Sequence, residues 1–446
     1  MIKKVLVANR GEIAVRIIRA CREMEIETVA VYSQADEEAL HTQLADEAIC
    51  IGPAQSSESY LNMEQIISAT LVSGADAIHP GFGFLSENSK FVELCEKCNI
   101  TFIGPSSEVI QKMGNKAQAR STMIEAGVPV IPGSKEAVRD VSHGAEIAEE
   151  IGYPVMIKAA LGGGGKGMRV AETRETFAAS FQTAQKEAQM AFGDGTMYLE
   201  RFVRNPRHIE FQILADCYGN AIHLGERDCS IQRNHQKMIE ESPSAVIDEE
   251  LRSRMGQAAV QAAKAAGYTN AGTIEFLLER DGQFYFMEMN TRIQVEHPVT
   301  EWVTGIDLIQ EQIRIASGLP LSYRQEDIKL SGHAIECRIN AENPDKNFRP
   351  SPGTITDLYL PGGKGVRIDT AIYSGYTVPA YYDSMLAKLI VHADTREQAI
   401  GKMRTALGEV IIEGIDTNID YQYEIMNHPD YQSGKIDIEF ISKWQR

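Results

Sequence analysis

No stretch of the chain approaches the roughly 18 uninterrupted apolar residues that a membrane-spanning helix needs, so no bilayer segment is expected. Cysteine is scarce and unpaired: the 7 residues are odd in number and scattered through 446 positions. That pattern speaks against a disulfide framework and for a reducing cytoplasm. Basic charge is short as well. A formal net charge of −18 argues against sequence-independent nucleic-acid binding, which depends on neutralising phosphates, so any anionic substrate must be held by a local cationic pocket. An export signal is missing too. Lys3 and Lys4 precede an apolar stretch, but Arg10, Glu12 and Arg16 interrupt it and no small-residue cleavage site follows, which reads as a strand entering a helix. Neither internal repeats nor low-complexity tracts stand out.

What is present is an ordinary globular balance, 43% hydrophobic and 24% charged, in a chain long enough for two to four packed units. The first hundred residues alternate β-rich runs (Val5 to Ala8, Val29 to Tyr32, Ala77 to His79, Thr101 to Ile103) with helical spacings. Ile13, Ile17, Ala20 and Met24 mark the first helix, and further helices are expected around Met63 to Val72 and from Ser86 to about Cys95. A doubly wound parallel sheet fits this pattern. From Tyr153 to Val203 the order is strand, glycine loop, strand, long helix, strand, which suggests a small separate lobe. Beyond it, Ile209, Phe211 and Ile213 alternate with Glu210 and Gln212, and Asp-Gly turns point to antiparallel hairpins. From about Ser331 a β-rich terminal unit is expected, with a helix near Arg396 to Leu407. The overall class is α/β, or α+β taken as a whole.

The glycine run from Gly162 to Gly165 lies between two strand-like segments, with Lys158 before it and Lys166 after it. Bare amides and lysine charge suit a loop closing over phosphates, although a glycine run alone also fits a linker. It matches neither a Walker loop nor a dinucleotide fingerprint. Between Thr273 and Asn290, two β runs flank Asp281-Gly282. With a two-residue turn, Arg280 pairs with Gln283 and Glu275 stands opposite Glu288, with Asn290 and Arg292 continuing that face. Opposed carboxylates repel, so they call for a cation, and two carboxylates with an amide oxygen suit magnesium. A solvated acidic face is the bland alternative.

Arg292, Gln294 and Glu296 share one face if their segment stays extended. A guanidinium there could hold a small planar anion beside a carboxylate able to accept its proton, or the pair could be a structural salt bridge. The polar run from Gln232 to Lys237 suits a phosphate pocket or an exposed loop equally well. Cys95 and Cys98 form a C-x-x-C pair with no second pair at metal-ligand distance, so helical thiols are expected there.

Taken together, these segments resemble the ATP-grasp family, and within it the biotin carboxylases, over essentially the whole chain. The resemblance rests on Ala8-Asn9-Arg10-Gly11-Glu12-Ile13-Ala14, on the string from His79 to Asn88, and on Asn205-Pro206-Arg207-His208. It rests equally on Glu226-Arg227-Asp228-Cys229-Ser230, the string from Glu288 to His297, Glu336 to Glu342, and Tyr381 to Met385. It implies an N-terminal domain over residues 1–113, an ATP-grasp domain over 114–330 with a lid over 131–203, and a C-terminal domain over 331–446.

Carried over position by position, the resemblance implies that Lys116, Lys158, His208 and His235 contact ATP, with Met168, Gln232 and Leu277 alongside. Glu200 and the backbone of Arg201, Phe202 and Val203 would hold the adenine, and Gly164 and Gly165 would cover the phosphates. Glu275, Glu288 and Asn290 would bind two magnesium or manganese ions. Lys237, Arg292, Gln294, Val295 through its backbone, and Arg338 would surround bicarbonate and biotin, near Phe82. Glu296 would deprotonate bicarbonate, and Arg338 would stabilise the biotin enolate.

Two positions depart from the family pattern: Leu161 where some relatives have a further glycine, and Phe82 where some have tyrosine. With no Ala-Met-Lys-Met biotinylation sequence in the chain, biotin is expected on a separate carrier protein, with separate carboxyltransferase subunits completing an acetyl-CoA carboxylase. A cytoplasmic homodimer is expected. The nearest alternatives are another acyl-CoA or pyruvate carboxylase's biotin carboxylase, a different ATP-grasp ligase, and a silent nucleotide-binding protein.

Overall fold

The structure, a computed structural model, describes residues 2–134, 136–159 and 167–444. It holds two compact units. One comprises Met1–Val128, Arg207–Phe276 and Glu288–Arg446, and the other Pro129–Pro206 with Leu277–Met287.

In the first unit the opening pattern forms a five-stranded parallel sheet in the order Glu47–Gly52, Glu27–Ser33, Lys4–Val7, Ala77–His79, Thr101–Phe102. Its central strand is apolar without alternation because both faces are covered. Val5 and Val7 pack with Ile13 and Ile17 of the helix Gly11–Glu23, while Leu6 packs with Ile66 and Phe91 from the helices Met63–Ser73 and Ser89–Lys97. The order reverses at Lys4–Val7, the point at which such sheets open a crevice at their carboxyl ends. There Asn9 Nδ2 donates to the carbonyls of Pro80 (2.6 Å) and Phe82 (2.8 Å), joining two of the strings that carry the family resemblance.

The helix expected from Ser86 starts instead at Ser89, because the Asn88 side chain accepts from the Phe91 N–H (3.1 Å) and caps it there. Cys95 is buried in that helix and Cys98 follows it, both as free thiols. No helix among the described residues is long and apolar enough to cross a membrane.

An eight-stranded antiparallel sheet follows the order Phe284–Asn290, Asn270–Leu278, Arg207–Ala215, Ala221–Arg233, Gln236–Ser242, His333–Asn340, Met385–Ala393, Val366–Thr370. The β runs after residue 331 therefore continue the sheet begun at Arg207, with Ile239 opposite Cys337 and Glu240 opposite Glu336. The helix Arg396–Glu409 covers this part, burying Ala399, Ile400 and Met403 against Ile335, Leu389 and Val391.

The second unit has the order read from the sequence. Antiparallel strands Met168–Ala171, Val155–Ala159 and Met197–Arg201 pack against the helices Val141–Ile151 and Arg174–Phe192. Its core is built on Val155, Ile157, Phe177, Phe181 and Leu199.

Across the seam at Gln236–Ser242, Glu241 is buried against His333 (2.8 Å) and Arg396 (2.7 Å). Burial alone would raise its pKa, but hydrogen bonding from His333 and the charge of Arg396 hold it down to about 2. A carboxylate depressed in this way contributes stability above its unfolded pKa of about 4.3 and loses that contribution as pH falls through the folded value. Glu241→Gln is expected to cost about 3 kcal/mol at pH 7, measured by urea unfolding. The gap from wild type should narrow as pH falls from about 4.3 towards 2, and a gap that does not change with pH would contradict this.

Candidate active site

Strand alternation places His208, Glu210 and Gln212 on one face of Arg207–Ala215, and Thr273 and Glu275 on one face of Asn270–Leu278. Arg227 is directly opposite Glu210. Its fully buried guanidinium donates to Glu210 Oε1 (2.5 Å), Gln212 Oε1 (2.7 Å), Thr300 (3.0 Å) and Thr273 (3.1 Å). Lys237 and Glu240 are three residues apart on Gln236–Ser242 and would face opposite sides of a regular strand. A register shift, with Ile231 opposite Ile239 but Gln232 opposite Lys237, inserts an extra residue between them and turns Lys237 inward.

There the Lys237 ammonium donates to three carboxylates at once: Glu210 Oε2 (2.5 Å), Glu275 Oε1 (2.8 Å) and Glu296 Oε1 (2.7 Å). Arg338 reaches Glu240 Oε1 through Nε (2.7 Å) and Glu296 Oε2 through Nη2 (3.0 Å). Glu296 therefore bridges Lys237 and Arg338. His208 Nε2 lies 3.0 Å from Glu275 Oε2.

The charges decide the protonation of this cluster. Burial would neutralise Glu275 and Glu296. Lys237 and His208 overcome it at Glu275, and Lys237, Arg338 and Arg227 at Glu296, so both stay ionised well below the usual carboxylate range. Burial opposes charge on Lys237, yet its three carboxylates keep it protonated. Glu240 has less cationic support, and burial pushes it up to about 7 despite Arg338.

The Asp-Gly hairpin differs from the expected two-residue turn. Glu279 N–H donates to Gln283 O (2.8 Å) and Gly282 N–H to Glu279 O (3.1 Å), so Arg280, Asp281 and Gly282 form a three-residue loop, with Gly282 at φ +84°. Counting from this loop would set Glu275 opposite Met287. Burial along Phe284–Asn290 does not alternate: Phe284, Tyr285 and Phe286 are all buried, and Met287 and Glu288 are both exposed. Even so, Asn290 Nδ2 donates to Glu275 Oε1 (2.9 Å), as does Gln294 Nε2 (3.2 Å). Glu288, although its side chain reaches solvent, is pushed up by partial desolvation of its carboxyl and then by the charge of Glu275, with Lys116 opposing.

Two carboxylates and an amide oxygen suit a hard divalent ion, and such an ion would relieve the Glu275–Glu288 repulsion. A tighter trio, His208, Glu210 and Glu275, brings its ligand atoms within 4.8 Å. Glu210, however, is already committed to Arg227 and Lys237.

The segment from Arg292 to Glu296 is not extended. It turns at Val295 and Glu296 into the helix His297–Thr304. Arg292 consequently binds Glu87 (2.9 Å), Gln294 (2.5 Å) and the Asn290 side-chain oxygen (3.0 Å), and it joins the cluster through the last two. His235 lies in the tight turn after Arg233, exposed and at φ +64°, and Gln232 is half-buried beside it. Lys116 opens the helix Lys116–Glu125 and is exposed.

In the second unit, Lys158 and Glu200 pair with each other. Arg201 binds Glu279 and Tyr285, the Phe202 N–H donates to Pro154 O (2.9 Å), Val203 is buried, and Leu277 is half-buried. Met168 opens its strand partly exposed. Gly164 and Gly165 lie outside the described residues.

Sequence reading missed the supporting roles of Glu210, Arg227, Glu240 and Glu87. The available signal was that Glu210 and Gln212 alternate with apolar residues. That pattern reads as polar-outward, yet every residue from His208 to Ala215 is buried.

Family models described as "Biotin carboxylase, N-terminal domain", "Carbamoyl-phosphate synthase L chain, ATP binding domain" and "Biotin carboxylase C-terminal domain" match residues 1–110, 115–324 and 336–443. Biotin carboxylase 1 of Bacillus subtilis is 59% identical over 445 residues, covering 100% of this chain and 99% of that protein. One of the pyruvate carboxylase subunits of Methanothermobacter thermautotrophicus is 53% identical over 446 residues, covering 100% and 91%. A solved biotin carboxylase domain dimer of Hydrogenobacter thermophilus 2-oxoglutarate carboxylase, in complex with MgADP, ADP and bicarbonate, superposes with a TM-score of 0.90. It is 51% identical and covers 99% of this chain and 98% of that one. The chain belongs to the biotin carboxylase family of ATP-grasp enzymes and is an ATP-dependent ligase.

The coupling within the cluster can be tested away from the expected reacting groups. Arg227→Met leaves Glu210 buried with one cation fewer and is expected to cost about 3–5 kcal/mol in denaturant unfolding. Arg227→Met/Glu210→Gln should recover most of that loss, whereas equal losses in the single and double variants would contradict the assignment.

Proposed function

We propose that the chain carries out the first half-reaction of an acetyl-CoA carboxylase, carboxylating biotin borne on a carrier protein at the expense of ATP and bicarbonate. The observation that carries this reading is the bridge Lys237–Glu296–Arg338, in which a buried, ionised carboxylate is held between two partly buried cations. Strong stabilisation makes Glu296 a weak base on its own. Bicarbonate bound among Lys237, Arg292 and Arg338 would be acidified by the same cations, so the proton difference between donor and acceptor narrows. Its oxygen then attacks the γ-phosphoryl of ATP, giving carboxyphosphate and ADP. Lys116, Lys158, His208 and His235 supply positive charge to the phosphates.

Bound at Glu275, Glu288 and Asn290, magnesium or manganese would offset charge on the transferring phosphoryl group. Carboxyphosphate decomposes to carbon dioxide and phosphate, phosphate takes the ureido proton of biotin, and Arg338 stabilises the enolate that attacks carbon dioxide. Glu200 and the backbone of Arg201, Phe202 and Val203 would hold the adenine, with Met168, Gln232 and Leu277 lining the nucleotide, Gly164 and Gly165 covering it, and Gln294, Val295 and Phe82 on the bicarbonate and biotin side. The same reading puts the enzyme in the cytoplasm as a homodimer working with a biotin carboxyl carrier and separate carboxyltransferase subunits.

ADP release from the purified chain with magnesium, ATP and bicarbonate is expected to rise with free biotin and to fall at least tenfold in Arg338→Ala and in Glu296→Ala. Bicarbonate-dependent hydrolysis indifferent to biotin would point to a different ATP-grasp ligase. No hydrolysis would point to a silent nucleotide-binding protein.

A further inference from the structure

Beside Arg338 lies a fully buried cation that no step above uses. Lys388 sits directly opposite Arg338 on the neighbouring strand, and opposite Asp369 on the other side. Like charges directly opposed in a sheet repel, so each needs its own anions. Arg338 has Glu240 and Glu296. Lys388, fully buried, has Glu12 at 3.1 Å and Asp369 at 3.7 Å. Asp369 is in turn held by Arg367 through Nε (2.8 Å) and Nη2 (2.7 Å), so it has a second cationic partner besides Lys388.

The remaining contact of Lys388 is the informative one: its ammonium donates to the Val295 carbonyl at 2.9 Å. The two opposed cations therefore grip two consecutive residues of one turn, Arg338 on the Glu296 carboxylate (3.0 Å) and Lys388 on the carbonyl just before it. That carbonyl belongs to the same peptide unit as the Glu296 N–H, so fixing it fixes the plane from which the Glu296 side chain departs. Val295 and Glu296 form the turn into the helix His297–Thr304, where the backbone has no strand partner to set its orientation.

We propose that Lys388 is a positioning residue for bicarbonate activation: anchored by Glu12, it orients the Val295–Glu296 peptide so that the Glu296 carboxylate faces Lys237 and Arg338. This rests on the assignment of Glu296 and Val295 to the bicarbonate site. It also gives the Asn9-Arg10-Gly11-Glu12 string a role in the chemistry without contact with any substrate. Misplacing a proton acceptor by about 1 Å is enough to cost on the order of a hundredfold in rate.

Lys388→Met alone would strand Glu12, a buried carboxylate, so the decisive variant is Lys388→Met/Glu12→Gln. It is compared with wild type by circular dichroism, thermal unfolding and steady-state ADP release in the presence of biotin. The expected result is a folded protein with KM for ATP within twofold of wild type and kcat/KM for bicarbonate at least tenfold lower. Bicarbonate kinetics within twofold of wild type would overturn the proposal. So would a double variant that does not fold, or one whose KM for ATP and kcat/KM for bicarbonate worsen alike, since either makes Lys388 merely structural. Absence of bicarbonate-dependent turnover in wild type would instead sink the functional reading on which the proposal rests.

Discussion

A single, largely enclosed ammonium organises this site. Lys237 meets Glu210, Glu275 and Glu296 within 2.5–2.8 Å, and without it three carboxylates would face one another out of reach of water. Unpaired buried charge is costly enough that each of these acids would otherwise take up a proton. Arg227 and Arg338 extend the arrangement from either side, so that four carboxylates (Glu210, Glu240, Glu275, Glu296) share three permanent cations. The imbalance falls on Glu210 and Glu240, both raised by burial against their cations, Glu240 to about 7, and on His208, which is raised by Glu275 against the effect of burial. Ionised acceptors and pre-placed cations in a water-poor setting are what a reaction through a highly charged intermediate needs.

The scaffold explains how so much charge can be buried in one place. A continuous antiparallel sheet brings the strands carrying His208 and Glu210, Arg227, Lys237, Glu240 and Arg338 side by side. One inserted residue then turns Lys237 onto the face it would otherwise miss. The parallel-sheet domain contributes Glu12 from the first turn of the helix Gly11–Glu23 and the Asn9 clasp on Pro80 and Phe82 from beyond the end of its central strand. Few of these positions tolerate independent change, because each charge is the counterion of at least one other.

Much of this was legible in the sequence. The β-α-β opening, the separate glycine lobe and the antiparallel runs follow from periodicity, and the strings around Glu288 to His297 and Glu336 to Glu342 point to the family directly. Counting along strands was less secure. The hairpin at Asp281-Gly282 closes with three loop residues, so its register does not by itself oppose Glu275 to Glu288; it is the Asn290–Glu275 hydrogen bond that joins the two strands' polar groups. Likewise Arg292, Gln294 and Glu296 come together through a turn and not through an extended face. The deepest partners, Arg227, Glu210 and Lys388, were hard to read because alternation marks a polar residue as outward-facing whenever its neighbours are apolar. Only the full sheet shows that both faces are buried.

The central claim is that this cluster activates bicarbonate as the nucleophile towards ATP. The most direct test is turnover with bicarbonate carrying oxygen-18, with mass spectrometry of the inorganic phosphate released alongside carboxybiotin. Attack by bicarbonate predicts one labelled oxygen in each phosphate. Phosphate containing only unlabelled oxygen, with the new atom drawn from solvent, would mean that water and not bicarbonate is the nucleophile, and would contradict the account.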